Sequence, residues 1–380
     1  MTDTQNTTIQ FTTERDTFRA ALASVKGAID KRTHIPILAN VLLTADDGLL
    51  AVTATDMNIT VRVCVDAQVQ VSGSVTVSAC LLYDMLNGLP KGSLVELDAG
   101  ESDTLRISAG PASYALPTLP VEDMPVAAAV KYKTTFDMPA SELLRLIDRT
   151  RFAMSCEDTR YYLNGLYLHR TRNGHGQDLS AVATDGHRLA KVDCRLPGGA
   201  AGMPGVIVPS ATVNLIRKLI AKLKGDVVVS VAPSRVRVTF VGVEVISKTI
   251  DGTYPEYERV IPKDNHLTAR LDTAALAGAM KRLAAVFDRG TTPSIKFTFA
   301  GNSVALVASS HDNGSAAESL EVEYDGEELE IGFNGRDMAD ICNVIGGDTV
   351  ELSMSDSVAP VTMRGSDDPA AIYVQMPLRV

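Results

Sequence analysis

Three segments of the chain share one spacing of apolar side chains, with members four, three and four residues apart. They are RDTFRAALASVKGAI (15–29), ASELLRLIDRTRFAM (140–154) and TAALAGAMKRLAAVF (273–287). The stripe of the second segment has one polar member, Thr150. Because this period is typical of an amphipathic helix, we predict a helix in each segment.

Alternating apolar and polar positions surround each of these helices. A strand-like run precedes each helix and two more follow it, with turn signals such as Asp47-Gly48 and Gly301-Asn302. A second helical pattern then begins behind a residue that can cap a helix N-terminus, namely Ser78, Ser210 or Asn334. Each copy closes with further strands and an extended stretch that contains proline.

The same order of elements therefore occurs three times, in units that are each about the size of a domain. We predict an α+β fold in which each unit packs two helices on antiparallel sheets. The predicted domains are residues 1–130, 131–263 and 264–380. The alternative is two domains whose helix patterns match by chance, and recurrence of the complete order argues against it.

Composition indicates an ordinary globular protein. The 380 residues are 45% hydrophobic and 22% charged, with no Trp. The five cysteines show no CxxC spacing, so we expect reduced thiols and a cytoplasmic location. The N-terminus lacks signal-peptide features and no apolar run could span a bilayer, so we expect no membrane association.

No sequence motif indicates a cofactor. The six histidines lack metal-ligand spacing, and no GxGxxG is present. The glycine-rich run GGAAGMPG (198–205) lacks the Lys-Ser/Thr of a phosphate-binding loop and precedes a strand, so it indicates a connector. We therefore expect neither a metal nor another cofactor.

Net charge and local charge lead to opposite predictions about nucleic acid as a partner. The net charge of −10 disfavours nucleic acid as a partner when it is taken alone. Basic residues nevertheless collect on the predicted helices, whereas the acidic excess collects in turns and strands. Candidates for contact with DNA phosphates include Arg149, Arg217, Lys218 and Lys222. Two interpretations stay open: a basic helical face that holds DNA, and ordinary solvated helix surfaces.

The segment VATDGHRLA (182–190) places Asp185 and His187 close together, which would suit an acid–base pair in a hydrolase. The matching turns of the other copies read ATDMNI (54–59) and ASSHDN (308–313). Because Thr or Ser followed by a small polar residue recurs where the spacing of Asp185 and His187 does not, we predict a scaffold turn whose side chains bond the local backbone. The hydrolase alternative also lacks a nucleophile. What stays particular to the second copy is His187-Arg188-Leu189.

Several motifs, in order along the chain, resemble the bacterial DNA polymerase III β subunit family, the sliding clamps. They are IPILANVLL (35–43), LPTLPVEDMP (116–125), RYYLNGLYL (160–168), VATDGHRLA (182–190), VIVPS (206–210), DGTYPEYERVIP (251–262) and YVQMPLRV (373–380). The resemblance runs from about residue 8 to the last residue. It is similar enough to imply a fold, a function and sets of contact residues.

The resemblance implies three clamp-type domains and a head-to-tail homodimer that forms a six-domain ring around duplex DNA. Such a ring is a processivity factor and not an enzyme. It slides without reading sequence and tethers the replicative polymerase subunit, the clamp loader and other proteins that carry a clamp-binding peptide. A clamp paralogue that confers resistance to a clamp-directed inhibitor is a further alternative.

The family's contact residues carry over to numbered positions here. The implied peptide groove comprises Leu163, Thr184, Gly186, His187, Arg188, Leu189, Pro255, Arg259, Val260, Val374, Met376, Pro377, Leu378, Arg379 and Val380. The implied DNA contacts are Arg32, Tyr161 and Tyr162, and the implied dimer interface joins Tyr114 and Leu116 to Ala285 and Val286. Two positions depart from the family's usual residues: Glu157 replaces a neutral polar residue near DNA, and Gln375 replaces an apolar one in the groove.

Overall fold

The structure is a computed structural model, and it describes residues 8–29, 34–100, 103–127, 129–173, 176–288 and 290–379. Within these ranges the α-helices are α1 Arg15–Val25, α2 Ala79–Gly88, α3 Ala140–Thr150, α4 Ser210–Ile220, α5 Thr273–Leu283 and α6 Gly335–Ile345. The six predicted helices are therefore confirmed. No helix in the described part of the chain is long and apolar enough to cross a membrane.

The three longer predicted helices end earlier than their apolar stripes. In each case the last turn is a 3₁₀ helix, over Lys26–Ala28, Arg151–Ala153 and Ala284–Val286. Tightening to 3₁₀ geometry is a common way to satisfy carbonyls at a helix end. The apolar periodicity therefore continues through a change of helix type.

The predicted caps are only partly correct. Asn334 Oδ1 accepts a hydrogen bond from the Arg336 amide at 3.1 Å, whereas Ser78 makes no side-chain cap bond. Asp272, which the sequence pattern did not single out, caps α5 by accepting from the Ala275 amide at 2.6 Å. Ser210 is itself the first residue of α4.

A strand precedes the first helix of each copy as predicted, but four or five strands, and not two, lie between its two helices. The first third of the chain holds β1 Ile9–Glu14, β2 Asn40–Asp46, β3 Leu49–Thr55, β4 Ile59–Asp66, β5 Gln68–Val71, β6 Gly73–Ser78, β7 Leu94–Ala99, β8 Thr104–Ala109 and β9 Ala112–Pro117. The middle third holds β10 Thr134–Pro139, β11 Gly165–Asn173, β12 Gly176–Thr184, β13 Arg188–Arg195, β14 Val206–Pro209, β15 Asp226–Ala232, β16 Arg235–Phe240 and β17 Val243–Lys248. The last third holds β18 Leu267–Asp272, β19 Ser294–Ala300, β20 Ser303–Ser310, β21 Gly314–Glu321, β22 Glu323–Tyr324, β23 Leu329–Asn334, β24 Thr349–Met354, β25 Val361–Gly365 and β26 Ala371–Gln375.

One compact unit comprises residues Met1–Ala140, Gly198–Gly202 and Asn214–Thr249. It contains a five-stranded sheet in the order β5-β1-β7-β8-β9 and an eight-stranded sheet in the order β10-β15-β16-β17-β4-β3-β2-β6. The larger sheet joins two thirds of the chain through antiparallel pairing of β17 with β4, for example Val245 with Val61. Its core includes the α1 residues Phe18, Leu22 and Val25, which are buried.

The other compact unit comprises Ser141–Pro197, Met203–Val213 and Ile250–Val380. Its nine-stranded sheet runs β14-β11-β12-β13-β26-β25-β24-β18-β22, and its four-stranded sheet runs β21-β20-β19-β23. Here β13 pairs antiparallel with β26, so that Leu189 lies opposite Val374. Each of the two units contains part of the middle third of the chain, because each large sheet combines strands of two sequence copies. The boundaries at 130/131 and 263/264 stay a prediction.

Arg15 overturns one expectation about the basic residues. It is one of the basic residues that collect on the predicted helices, which would make it a surface cation, but it is only 6% exposed. Its guanidinium donates to the carbonyls of Leu86 (2.6 Å) and Asn87 (3.1 Å) at the end of α2, and it pairs with Asp16. Arg15 therefore satisfies the free carbonyls of a neighbouring helix.

Candidate functional site

The turn between β12 and β13 is built by two side chains that bond the local backbone. Thr184 Oγ1 accepts from the Gly186 amide (3.1 Å) and donates to the Arg188 carbonyl (2.6 Å). Asp185 Oδ1 accepts from the amides of His187 (2.9 Å) and Arg188 (3.0 Å). Gly186 has φ +93°, a backbone conformation that favours glycine.

The first copy uses the same bonds. Thr55 Oγ1 accepts from the Met57 amide (3.1 Å) and donates to the Ile59 carbonyl (2.9 Å). Asp56 Oδ1 accepts from the amides of Asn58 (2.8 Å) and Ile59 (2.6 Å). In the third copy the turn differs, and His311 Nδ1 instead lies 3.2 Å from Asp312 Oδ1. The scaffold-turn prediction is thus confirmed for the first two copies and wrong for the third.

Asp185 and His187 do not form an acid–base pair. His187 Nδ1 lies 3.9 Å from Asp185 Oδ1, beyond hydrogen-bond distance, and the imidazole is 67% exposed. The carboxylate is committed to backbone amides and to Arg188 Nε at 3.1 Å. This geometry removes the basis of the hydrolase alternative.

Arg188 holds the turn in place through contacts with α6 and with Phe152. Its Nη1 lies 2.8 Å from Asp340 Oδ2 and 3.4 Å from Asp337 Oδ1, both on α6, and its Nη2 donates to the Phe152 carbonyl at 3.0 Å. Burial opposes the charge, but Asp340, Asp337 and Asp185 raise the pKa of this guanidinium. Arg188 was predicted to contact a peptide, and its charge also joins the turn to α6.

Gln375 belongs to the same region. It is 1% exposed, and its Nε2 donates to the Met376 carbonyl at 3.1 Å. Burial raises the pKa of neighbouring Asp337, while the Arg188 charge and a hydrogen bond from Gln375 oppose that shift. Gln375, which replaces the family's usual apolar residue, is therefore buried and interacts with groups next to the turn.

Glu157 and Arg160 form an ion pair beside Gly186 of the turn. Arg160 Nε donates to Glu157 Oε2 at 2.8 Å, and this bond lowers the pKa of the carboxyl. A Cβ on Gly186 would come within 2.5 Å of Arg160 Nη1, so a side chain there would displace this pair. The negative charge of Glu157, which would repel a phosphate, has an adjacent cation.

A cavity of about 210 Å³ opens beside the turn. The predicted groove residues that line it are Leu163, Thr184, Gly186, His187, Arg188, Leu189, Pro255, Val260, Val374 and Met376. Val260 and Met376 present exposed apolar side chains at its surface. Such a combination of apolar lining with few polar groups is typical of a binding pocket.

Two lining residues, Glu256 and Tyr257, were missed. The signal was available, since both lie in the motif DGTYPEYERVIP, but the expected contacts in that motif were only Pro255, Arg259 and Val260. Arg259 lines a neighbouring cavity instead and pairs with Glu256 at 2.5 Å.

Of the C-terminal residues of the expected groove, Val374 and Met376 line the cavity, whereas Pro377, Leu378 and Arg379 lie outside its lining. The Met376 amide donates to the His187 carbonyl at 2.9 Å, which ties the segment to the turn. The Leu378 amide donates to the Gly332 carbonyl at 2.8 Å, on β23. Pro377 and Leu378 are half-buried and Arg379 is exposed, whereas Val380 lies outside the described residues.

The floor of the cavity is a buried apolar cluster. Its members are Leu163, Val182, Leu189, Ile207, Tyr254, Tyr257 and Val374. Burial raises the pKa of the Tyr254 and Tyr257 hydroxyls, so both stay neutral near pH 7. The packed cluster therefore gives the cavity a floor that is already formed in the free protein.

The residues expected to contact DNA fall into two groups. Lys218 on α4 and Lys222 just beyond it are exposed, Arg217 is half-buried, and Tyr161 is exposed and stacks edge-on against Tyr162. Arg149 does not fit: it is mostly buried, lies 3.9 Å from Asp368 Oδ2 and packs against Gly346. Since its charge has an internal partner, Arg149 is a poor phosphate ligand. Arg32 lies outside the described residues.

The residues expected at the dimer interface lie at sheet edges. Tyr114 and Leu116 are on β9, the last strand of the five-stranded sheet, and Tyr114 is 37% exposed. Ala285 and Val286 lie in the 3₁₀ turn after α5, which packs against β21, the last strand of the four-stranded sheet. In the described ranges, no group of His, Cys, Asp and Glu is arranged to hold a metal ion.

Comparisons with known proteins agree along the whole chain. Family models of the DNA polymerase III beta subunit match residues 9–128 (N-terminal domain), 137–256 (central domain) and 258–379 (C-terminal domain). The beta sliding clamp of Caulobacter vibrioides is 40% identical over 373 residues, which cover 98% of this chain and all of that protein. A sliding clamp from Bartonella birtlesii bound to griselimycin superposes with a TM-score of 0.95 at 36% identity, covering 98% of this chain and 100% of that one. A Caulobacter crescentus beta sliding clamp gives a TM-score of 0.95 at 40% identity, with 98% and 99% covered.

Proposed function

The chain belongs to the DNA polymerase III beta subunit family, and we propose that it works as a homodimeric ring that encircles duplex DNA and tethers its partners through the 210 Å³ cavity. It is a DNA polymerase processivity factor and not an enzyme. We further propose that it acts in the cytoplasm, where chromosomal DNA and reduced thiols occur together in bacteria.

One observation carries the ring proposal: the way strands are shared between sequence copies. The first and second copies meet in a sheet of eight strands, and the second and third meet in a sheet of nine. The five-stranded sheet of the first copy and the four-stranded sheet of the third contain strands from one copy only. Joined between two chains, five and four strands would make nine, which matches the eight and nine strands of the existing junctions closely.

The exposed edges support this pairing. β9 and β21 are terminal strands of their sheets, and a terminal strand presents unpaired N–H and C=O groups that can template another chain. Two such contacts, each between the first copy of one chain and the third copy of another, close a head-to-tail dimer. The expected interface residues Tyr114, Leu116, Ala285 and Val286 lie on or beside these strands.

The cavity supports the tethering role. Its apolar surface can bury side chains of a short peptide, and the polar groups at its rim, such as His187 and Glu256, can orient the peptide backbone. The Thr184-Asp185 turn and Arg188 hold one wall in place. We propose that the ten predicted residues lining the cavity, together with Glu256 and Tyr257, form the peptide site.

DNA contact in this proposal is electrostatic and interchangeable. Lys218, Lys222 and Tyr161 present exposed groups, and Arg217 lies beside Lys218 on α4. Phosphate contacts carry no register, so the ring can move from one base-pair step to the next. Because attachment is topological, weak contacts are enough and the overall charge of −10 is no obstacle.

The deciding experiment compares closed and opened DNA. The protein, loaded by its clamp loader onto nicked circular DNA, should stay bound during gel filtration and leave when a restriction enzyme linearises the circle. Sedimentation of the free protein should give the mass of a dimer. Equal retention on circular and linear DNA, or a stable monomer at micromolar concentration, would contradict the ring.

A further inference from the structure

A second, larger cavity adjoins the peptide site. Its volume is about 730 Å³, and the segment 254–264 forms most of its wall together with Tyr167 and His169 of β11. Three residues, Pro255, Glu256 and Tyr257, line both cavities. Of the residues carried over from the family's peptide groove, only Pro255 and Arg259 line the larger cavity, and the tethering role does not use it.

The base of this cavity is a stack of aromatic rings. The Tyr254 and Tyr167 rings are 4.6 Å apart and nearly parallel at 9°, and Tyr167 and His169 are 4.3 Å apart at 21°. Tyr257 Oη lies 3.0 Å from His169 Nε2, and His169 Nδ1 lies 3.2 Å from the Arg170 carbonyl. A neutral imidazole satisfies both contacts by donating from Nδ1 and accepting at Nε2. The base of the cavity is therefore aromatic and is held by ring stacking and hydrogen bonds, while charged residues lie at the rim.

The sizes of the two cavities indicate how they are used. Pockets that enclose drug-sized ligands measure about 300–1,000 Å³. The smaller cavity, at about 210 Å³, falls below that range and holds only part of a peptide, whereas the larger one, at about 730 Å³, falls within it. A peptide that is seated in the smaller cavity and continues past the wall shared by Pro255, Glu256 and Tyr257 would reach the larger one.

We propose that the larger cavity receives an apolar side chain from the residues that flank a partner's clamp-binding peptide, and so forms a second site for the same partner. The inference rests on the proposed function, because it requires the peptide to occupy the smaller cavity first. Occupation of both cavities would let partners with the same core peptide differ in affinity through their flanks.

The rim favours this apolar occupant over a charged one. Glu256 and Arg259 pair with each other at 2.5 Å. The other charged rim residues, Glu258, Lys263 and Asp264, carry both signs and are exposed. A rim of mixed sign attracts neither a strong anion nor a strong cation, so the aromatic base selects the ligand.

Two consecutive residues separate the two cavities experimentally. Val260 lines only the smaller cavity and Ile261 lines only the larger one. Fluorescence anisotropy would measure two labelled probes from the cognate replicative polymerase subunit: its clamp-binding segment alone, and the same segment with its native flanks. We expect the long probe to bind about tenfold more tightly, which corresponds to 1.4 kcal/mol.

The variants should then respond differently. Ile261→Glu should remove most of the long probe's advantage while leaving the affinity of the short probe unchanged, whereas Val260→Glu should weaken both probes. Equal affinity of the two probes for the natural protein overturns the inference while the proposed function stands. Failure of the short probe to bind overturns both.

A cross-linking measurement covers the case in which Ile261→Glu disturbs the buried cluster that Ile261 contacts. A benzophenone amino acid placed at each apolar flank position of the long probe should attach to the segment 258–264 or to Tyr167. Attachment exclusively elsewhere on the natural protein would overturn the proposal, whatever the variant does.

Discussion

Asp185 shows how one carboxylate can serve both stability and recognition. Its oxygens accept from two backbone amides and from Arg188, and the turn that they hold forms one wall of the peptide site. Asp56 makes the matching amide bonds in the first copy, far along the chain from any residue of that site. The repeat thus supplies an internal control for the role of the turn.

Replacement of either aspartate tests this distinction. Asp185→Ala and Asp56→Ala should each lower the free energy of unfolding by about 1–3 kcal/mol, the cost of leaving backbone donors without a charged acceptor. Only Asp185→Ala should also weaken peptide binding. Urea unfolding and anisotropy with the short polymerase peptide would measure the two effects. A comparable loss of affinity in Asp56→Ala would show that general stability is responsible.

His169 links the stability of the same region to pH. Burial lowers its pKa below the usual 6.5, and Lys191 opposes the proton further, while the Arg170 carbonyl, Asp193 and Glu258 favour it. With a lower pKa in the folded state, the unfolded chain binds more protons as the pH falls. The resulting stability is fully present above about pH 6.5 and is lost as the pH drops through the folded-state pKa.

His169→Phe keeps an aromatic ring in the stack and removes the titrating group. Urea unfolding of both proteins near pH 8 and near pH 5.5 should therefore show a steeper loss of stability in the natural protein than in the variant. The comparison cancels the carboxylates, which titrate in both proteins. Parallel pH profiles would show that His169 takes no part.

At the scale of elements, local pattern was enough to predict most of the architecture. The starts of α1, α3 and α5 coincide with the predicted starts, each of which lies three residues before the first member of its apolar stripe. Pattern could not predict that β17 pairs with β4, or β13 with β26, since alternation shows that a strand exists and not which strand lies beside it. Sheets shared between copies are therefore a finding of the structure.

The same limit explains why the sequence did not predict that two arginines are buried and paired. Arg15 and Arg149 looked like surface cations because their sequence neighbours are helical and polar. Their partners lie far along the chain, at Leu86 and Asn87 for Arg15 and at Asp368 for Arg149.

The lining of the cavity was predicted better, because ten of its residues lie in motifs that a resemblance can align. Glu256 and Tyr257 were missed within one of those motifs.

The two edges of the five-stranded sheet provide a matched test of ring closure. Tyr114 on β9 and Val71 on β5 are similarly exposed, at 37% and 38%, but only β9 is proposed to pair with another chain. Tyr114→Asp should raise the dimer dissociation constant at least about tenfold, since a central aromatic contact is worth more than about 1 kcal/mol. Val71→Asp should leave it unchanged. Sedimentation velocity across a dilution series would measure both, and equal effects would place the interface elsewhere.

At the scale of the whole molecule, a ring separates how strongly the protein attracts DNA from how long it stays there. Attraction depends on exposed cations, whereas release from a closed circle requires a dimer interface to open. Two measurements should therefore diverge: the salt dependence of binding to linear DNA, and the lifetime on circular DNA. In a protein held by charge alone they would change together.

Lys218 and Lys222 allow that divergence to be tested. Each lost phosphate contact lowers the slope of log affinity against log salt by about 0.9, so Lys218→Ala with Lys222→Ala should reduce the slope for linear DNA by roughly two. Arg149→Ala is the matched control, because its charge is paired with Asp368 and its loss should leave the slope unchanged. The double variant, once loaded, should remain on nicked circles as long as the natural protein does. A lifetime that shortens in step with the salt slope would mean that phosphate contacts, and not closure around the duplex, hold the protein on DNA.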